Sequence, residues 1–317
     1  MFDVVIVGGG PAAVGAAVYA ARKKLKTAVI AKEFGGQSLI SSSIENWIGE
    51  ESLTGFDLAQ KLESHLRAQK GVEITAGELV TKILEIPGGF RVETDAEKKV
   101  ETRTVILASG SRRRRLGIPG ESKFEGKGVV FCSTCDAPLF GEKTVAVVGG
   151  GNAGLEAVVD LLPYAKKIFL IVRSDALKGD QVTQDEVRGN PKVEIIYHAL
   201  TQEILGSEYV TGLKYQDAKS QEAKELQVDG VFVEVGAVPN SDIAKGLVDM
   251  NPMGEVVIDH KTGTTSKPGI FAAGDVTDEI YKQNNISVGD AVKAALSCYN
   301  YLLGKKHQSP AAETGTV

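Results

Sequence analysis

Cysteine is scarce in this chain, with three in 317 residues. So small and odd a number excludes a fold stapled by disulfides. Long apolar runs are missing too, and none approaches the roughly 20 residues needed to cross a bilayer. Basic charge is not in excess: the net charge is -5, so the chain lacks the electrostatic footprint of a nucleic-acid binder. The four histidines (His65, His198, His260, His307) are scattered and there is no second C-x-x-C, which argues against a zinc site. No charged leader precedes the first apolar strand, so the expectation is a cytoplasmic protein without a signal peptide.

What is abundant is small and aliphatic. The chain is 43% hydrophobic and carries 36 glycines, a composition suited to helices packed closely on parallel sheets. Its length favours two domains over one core. Two segments, Phe2 to Ala21 and Lys143 to Leu162, each read as a β-branched strand, a glycine-rich turn and a small-residue helix. This is an internal duplication of a nucleotide-binding unit rather than a short-period repeat. Between them, 53–70 has helical spacing and 72–107 reads as short strands. After the second unit, 193–235 repeats that style, 254–275 reads as a further strand pair, and a last helix covers about 287–303. The order predicts an α/β fold of two Rossmann-like, three-layer ββα dinucleotide-binding domains, the second inserted in the first. Residues 1–111 and 241–303 form one domain and 112–240 the other, with joints at Ser111–Gly117 and Ala237–Ser241. The polar tail, 304–317, is expected to be disordered.

Gly8-x-Gly10-x-x-Ala13 follows a strand and opens a helix. Its first glycine permits a tight turn, its second lets the backbone approach a pyrophosphate, and its third position allows close helix–strand packing. Pro11 and Ala12 lie within that loop. An acidic ribose partner belongs about 20 residues on, where Glu33 is the candidate. The second loop is Gly149-x-Gly151-x-x-Gly154, enclosing Asn152 and Ala153. No carboxylate ends its second strand. Arg173, Ser174 and Lys178 stand there instead, either to meet a 2′-phosphate or as the solvated start of a helix.

Cys132-Ser133-Thr134-Cys135-Asp136 precedes the second loop. C-x-x-C at a helix start puts both sulfurs within disulfide reach and lowers the thiolate pKa. Asp136 adds a carboxylate placed to move a proton. Cys298, alone among alanines on the last helix, reads as core. Two dinucleotide units and a dithiol make a chain of carriers: hydride from nicotinamide, a flavin that accepts the pair, and thiols that leave by exchange.

These residues resemble the thioredoxin reductase family of low-molecular-weight FAD pyridine-nucleotide disulfide reductases, over nearly the whole chain to about residue 303. The matching pieces are GGGPAA (8–13), GGQ (35–37), ENW (45–47), ASGS (108–111), CSTCDAP (132–138), GGGNAG (149–154), GAVPN (236–240) and GDVTDEIYKQ (274–283). Stretches such as LKGDQV (177–182) and DGVFVEVGAVPN are closer to the flavoprotein subunit of alkyl hydroperoxide reductase. That subunit's extra N-terminal thioredoxin-like module is not expected here, where the chain starts at the FAD strand. The resemblance implies FAD held along Gly8, Gly10, Ala13, Gly36, Gln37 and Asn46, with Gly110 and Gly274 in the matching motifs and Asp275, Lys282 and Gln283 closing the site. It implies Asp275 on the ribityl chain, Cys135 facing the flavin, Cys132 attacking the partner and Asp136 as acid–base. A homodimer and a large rotation of the inserted domain are implied as well, with a thioredoxin-like or peroxiredoxin-system protein as acceptor.

The departures are informative. The family's H-R-R-x-x-x-R grip on NADPH reads Val172-Arg173-Ser174-Asp175-Ala176-Leu177-Lys178, while the rest of the inserted domain matches the NADH-using branch, which favours NADH over NADPH. Ala13, Ala137 and Ala291 replace glycines and are tolerable wherever φ is negative. Arg112–Arg115 reads as a solvated turn or as a landing patch for an acidic partner or a cofactor phosphate; with an acidic partner, ferredoxin becomes an alternative electron donor. A non-catalytic redox sensor is the reading from another class.

Overall fold

The computed structural model describes residues 1–41 and 44–308. It divides into two compact units: Met1–Leu39, Trp47–Arg112 and Val238–Val317 form one, and Ile40–Asn46 with Arg113–Ala237 the other.

In the first unit, β1 (Phe2–Val7) leads through Gly8–Gly10 into α1 (Pro11–Arg22) and β2 (Thr27–Ala31). Gly10 is extended (φ -78°, ψ -177°), and Pro11 takes the first helical position, where a missing N–H costs nothing. Alanine fills much of the rest of α1, and Lys24 ends it in the left-handed region (φ 60°). Next come α2 (Gly55–Arg67), β3 (Val72–Ala76), β4 (Val80–Ile86), β5 (Gly89–Thr94) and β6 (Lys99–Leu107). A reciprocal capping box starts α2: Thr54 Oγ1 accepts the Asp57 N–H at 3.1 Å and Asp57 accepts the Thr54 N–H.

β7 (Ser111–Arg113) carries the chain toward the second unit. There β8 (Val129–Val130), α3 (Ser133–Asp136), β9 (Thr144–Val148), α4 (Asn152–Leu161), β10 (Lys167–Ile171), α5 (Gln181–Gly189) and β11 (Val193–Ile196) follow in order. An antiparallel trio, β12 (Ala199–Gly206), β13 (Val210–Asp217) and β14 (Ala223–Gln227), precedes β15 (Gly230–Val233). β16 (Ala237–Pro239) leads out and pairs with β7, and the chain closes the first unit with β17 (Ile270–Ala272) and α6 (Asn284–Gln308).

The two units share one plan. In the first, parallel strands run β3-β2-β1-β6, with β17 also parallel on β6. In the second, the order is β11-β10-β9-β15-β8, all parallel. β6 forks: Lys99–Thr102 pairs antiparallel with β5, while Val105–Leu107 pairs with β17. The central strands are buried on both faces, which explains their unbroken aliphatic runs. In the first unit Val5, Val7, Ile30, Phe90, Leu107 and Ile270 share a core. The second unit has a core on each face of its sheet, one around Ala146, Phe169 and Val231, the other around Val147, Leu155 and Phe232. α1 and α6 lie close because Gly15 has no side chain: a Cβ there would sit 3.3 Å from Val288 and 3.5 Å from Ala291.

Three sequence expectations change. Residues 250–277 make isolated bridges (Met250 with Val256, Asp259 with Thr264) around the short β17 rather than a strand pair. The last helix begins at Asn284 and continues to Gln308, past the expected start of the tail; the rest of that tail lies outside the described residues. Asn46, expected with the first domain, groups with the second unit, where its Nδ2 donates to Cys135 Sγ at 3.9 Å.

Candidate functional site

Within the first unit, the residues expected to hold a dinucleotide gather at the C-terminal ends of β1, β2 and β6. Gly8 has φ +127°, and a Cβ there would lie 2.1 Å from the Ala108 carbonyl oxygen, so strand β6 allows no side chain at that turn. Gly10 faces open space, with nothing within 4 Å of a built Cβ. Across it stands Gly36 (φ +58°), whose own Cβ would lie 3.5 Å from the Gly10 Cα. Gln37 Nε2 donates to Ser111 Oγ (3.1 Å) and to Asp275 Oδ2 (3.0 Å), and Ser287 Oγ donates to Asp275 Oδ1 (3.3 Å). Gly274 packs on Ala12, at 3.0 Å from a built Cβ. Among the described residues, Gln37 Oε1 is buried without a hydrogen-bond partner. An orphaned acceptor beside a glycine cradle is what a bound dinucleotide with its own donors would complete, and the residues fit FAD.

Glu33 is exposed two residues past the end of β2, with its backbone oxygen 2.0 Å from a Cβ built on Gly9. Lys282 Nζ pairs with Glu255 (3.0 Å) and donates to the Thr277 carbonyl. Gln283 accepts the Ser287 N–H on its backbone oxygen (2.9 Å), at the start of α6. Gly110 (φ +67°) accepts the Asn240 N–H at 2.9 Å. Asn240 also exchanges bonds with Ser109: its Nδ2 donates to the Ser109 oxygen (2.9 Å) and its own carbonyl accepts Ser109 Oγ (2.8 Å).

The second glycine loop repeats the first. Gly149 has φ +141°, and its Cβ would lie 2.1 Å from the Glu234 carbonyl oxygen, while Gly151 faces open space. Asn152 and Ala153 are exposed at the start of α4. Asn152 Oδ1 accepts the Asp180 N–H (2.8 Å), which tethers the segment after β10 to that helix start. At the end of β10, Val172 is buried against Gly150, 2.7 Å from a built Cβ. Arg173 and Lys178 are exposed, and Ser174 Oγ donates to the Ala176 carbonyl (2.8 Å).

Cys132 and Cys135 form a closed disulfide, with Cα atoms 5.3 Å apart. Cys132 is the extended residue before α3 and Cys135 lies within it. The hydroxyls between them are fixed by one carboxylate: Ser133 Oγ and Thr134 Oγ1 both donate to Asp160 Oδ2, at 2.8 and 3.1 Å. Burial pushes the Asp136 carboxyl up to about 6, against the opposing pull of Arg113. Such a group exchanges protons near neutrality, which suits proton transfer at the dithiol.

Sequence reasoning passed over Ser111, Asn240, Asp160, Arg113 and Glu234. For Glu234 a signal existed, a carboxylate at the end of the aliphatic run Val231–Val233. For Arg113 the signal misled. Arg112 donates to Asn240 Oδ1 (2.9 Å), Arg113 faces Asp136, and Arg115 pairs with Glu125 (2.7 Å) over the Phe131 ring. The arginine run is thus bound largely within the chain rather than forming one free patch. Cys298 is core: its thiol shares a 3.1 Å bond with Thr104, and burial pushes it up to about 12. Ala137 has φ -52°, and neither Ala13 nor Ala291 has positive φ, so the added methyls cost no backbone strain. Among the described residues no cluster of His, Cys, Asp or Glu is arranged to hold a metal ion, and no helix is long and apolar enough to cross a membrane.

Known proteins resemble this chain over most of its length. The chain is 45% identical over 307 residues to the F subunit of an alkyl hydroperoxide reductase of Pseudomonas putida, covering 95% of this chain and 58% of that protein. It is 43% identical over 303 residues to an NADH dehydrogenase of Bacillus subtilis, covering 95% and 59%. It thus spans a little under three fifths of the curated relatives it matches. Among solved structures, thioredoxin reductase from Streptococcus pyogenes superposes with a TM-score of 0.89 at 34% identity, covering 96% of this chain and 99% of that one. The family model described as pyridine nucleotide-disulphide oxidoreductase matches residues 2–294, and the chain belongs to that family of oxidoreductases.

Proposed function

We propose that the protein is an FAD-dependent disulfide reductase that passes electrons from NAD(P)H through the Cys132–Cys135 pair to the disulfide of a thioredoxin-like or peroxiredoxin-system protein. The observation that carries this is the closed disulfide at the start of α3 beside a half-buried Asp136, in a chain with two dinucleotide loops. Bound FAD would supply the two-electron link between nicotinamide and disulfide. Gly10, with Gly36 across it, leaves room for its pyrophosphate, Gly8 lets the turn pass against the end of β6, and Gln37 and Asp275 would orient it. Asp136 holds or releases the proton that the sulfurs need as they open and close. Cys132 attacks the acceptor disulfide, and Cys135 then attacks the resulting mixed disulfide and closes the pair.

NADH is the donor we favour. Val172, where the strand ends, is apolar, and of the basic grip for a 2′-phosphate only Arg173 and Lys178 remain. The relative named NADH dehydrogenase supports the same choice. The test is rapid mixing of the flavin-loaded protein with NADH, NADPH and reduced ferredoxin, followed by turnover with a panel of thioredoxins. Fast bleaching by NADH and sustained thiol release support the reading. Bleaching by ferredoxin alone overturns the donor, and a single turnover without thiol release overturns the activity.

A further inference from the structure

Asp160 sits where a carboxylate gains least from its own helix. It is half-buried in the last turn of α4, and no basic residue shares that turn. The free carbonyls of a helix end carry partial negative charge, which disfavours an acid there. What offsets this comes from another element. Ser133 Oγ and Thr134 Oγ1 both donate to the same oxygen, Asp160 Oδ2, at 2.8 and 3.1 Å. These are the residues between the two sulfurs, Ser133 buried and Thr134 exposed. Hydrogen bonds to an ionised acceptor are about twice as strong as neutral ones. α3 itself is a single turn of four residues, with the Asp136 N–H on the Cys132 oxygen at 3.0 Å. One turn of helix does not hold itself in water. With the disulfide closed, the S–S bond spans the same turn, its Cα atoms 5.3 Å apart, and fixes it covalently. With the disulfide open, that constraint is gone and the two bonds to Asp160 remain.

We infer that Asp160 is a positioning residue that makes the Cys132–Cys135 pair a stronger reductant, by holding the opened turn in the shape of the closed one through the Ser133 and Thr134 hydroxyls. The disulfide form keeps its turn with or without Asp160, and the dithiol form keeps it only with Asp160. Removing the tether therefore frees the dithiol and not the disulfide, and the freedom gained favours the dithiol. Conversely, a dithiol already held in place closes more readily, as any preorganised pair does, and so passes its two electrons on more readily. This rests on the reading above that the pair cycles between disulfide and dithiol.

The test equilibrates the full flavin-loaded chain, its Asp160→Ala variant and a double variant, Ser133→Ala with Thr134→Val, with mixtures of reduced and oxidised dithiothreitol in the absence of air. Dithiothreitol closes to its own ring disulfide, and its two electrons and two protons open the Cys132–Cys135 bond to a pair of thiols. Mass after thiol alkylation gives the ratio of dithiol to disulfide. Freedom regained by about one residue should raise that ratio roughly tenfold in Asp160→Ala, about 30 mV for a two-electron couple. The double variant keeps the charge of Asp160 and removes both donors, and its ratio should rise as well. A ratio equal to or below the parent's in either variant overturns the inference: in the first, Asp160 does not set the equilibrium, and in the second, it does so without the hydroxyls. Should Asp160→Ala fail to fold, the double variant decides alone. A parent disulfide that never exchanges with dithiothreitol overturns the proposed function along with the inference, whereas equal ratios in proteins that do exchange leave that function standing.

Discussion

Two glycines in one loop should answer oppositely to the same added methyl. At Gly149 a Cβ would lie 2.1 Å from the Glu234 carbonyl oxygen and 2.8 Å from its carbon, at φ +141°. The backbone conformation alone costs an alanine about 1–3 kcal/mol. Moving a strand end aside adds a further 1–3 kcal/mol or so, by analogy with overpacked cores. Gly149→Ala should therefore lose about 4 kcal/mol, a large share of a typical domain's stability. At Gly151 φ is -96° and nothing lies within 4 Å of the built Cβ, so Gly151→Ala should change stability by less than about 1 kcal/mol. Its methyl stands where a pyrophosphate approaches, and the nicotinamide nucleotide should bind roughly tenfold or more weakly, about 1.4 kcal/mol. Urea denaturation followed by circular dichroism gives the stabilities, and the concentration dependence of flavin reduction gives the affinity. The reasoning is refuted if Gly151→Ala unfolds as readily as Gly149→Ala, or if it is reduced by nucleotide as the parent is.

Other substitutions separate the remaining elements. Cys135→Ser should keep nicotinamide-driven flavin bleaching and lose thiol release in a thioredoxin-coupled assay; sustained turnover would contradict the roles assigned to the pair. Asp136 has a folded value of about 6 against an ordinary 3.8, so the native state binds the extra proton between the two. Its contribution is complete below about pH 4 and is lost as pH rises through 6, a fall of roughly 3 kcal/mol. In Asp136→Asn that share should vanish from stability curves taken across the window, leaving the comparable slope that Glu234 contributes, raised from 4.5 to about 7; an unchanged curve would deny the burial effect. Thr54→Ala removes half of the capping box of α2 and should lower stability by about 1 kcal/mol in thermal denaturation, with no effect on flavin reduction by nucleotide.

The glycine loops were legible because their logic is local. Strand, turn and helix follow within a few residues, and each glycine answers a need of its own turn. The sulfur pair was legible for the same reason. Glu234 was only half legible: the sequence shows a carboxylate closing the run Val231–Val233, but not that its backbone N–H pairs with the Val148 oxygen far earlier in the chain. Arg113 was hidden by its neighbours: four arginines in a row look like a solvated surface, yet one end of the run reaches Asn240 and the other Glu125. The division of β6 between an antiparallel and a parallel partner has no signature in its sequence either, since both uses call for the same β-branched residues. The stretch before β17 alternates well enough to suggest strands, but it finds partners only at single positions.

The pairing of β7 with β16 bears on how such a chain can be assembled at all. An interruption of this length would ordinarily impose a large entropic penalty on bringing the two halves of the outer fold together. Because its two ends run side by side, at the roughly 4.8 Å spacing of neighbouring strands, the intervening segment, once folded, acts on its host as a short hairpin would. The host then closes around a fixed point instead of a long fluctuating excursion, which is how one nucleotide-binding unit can sit inside the sequence of another without slowing the search for its own partners.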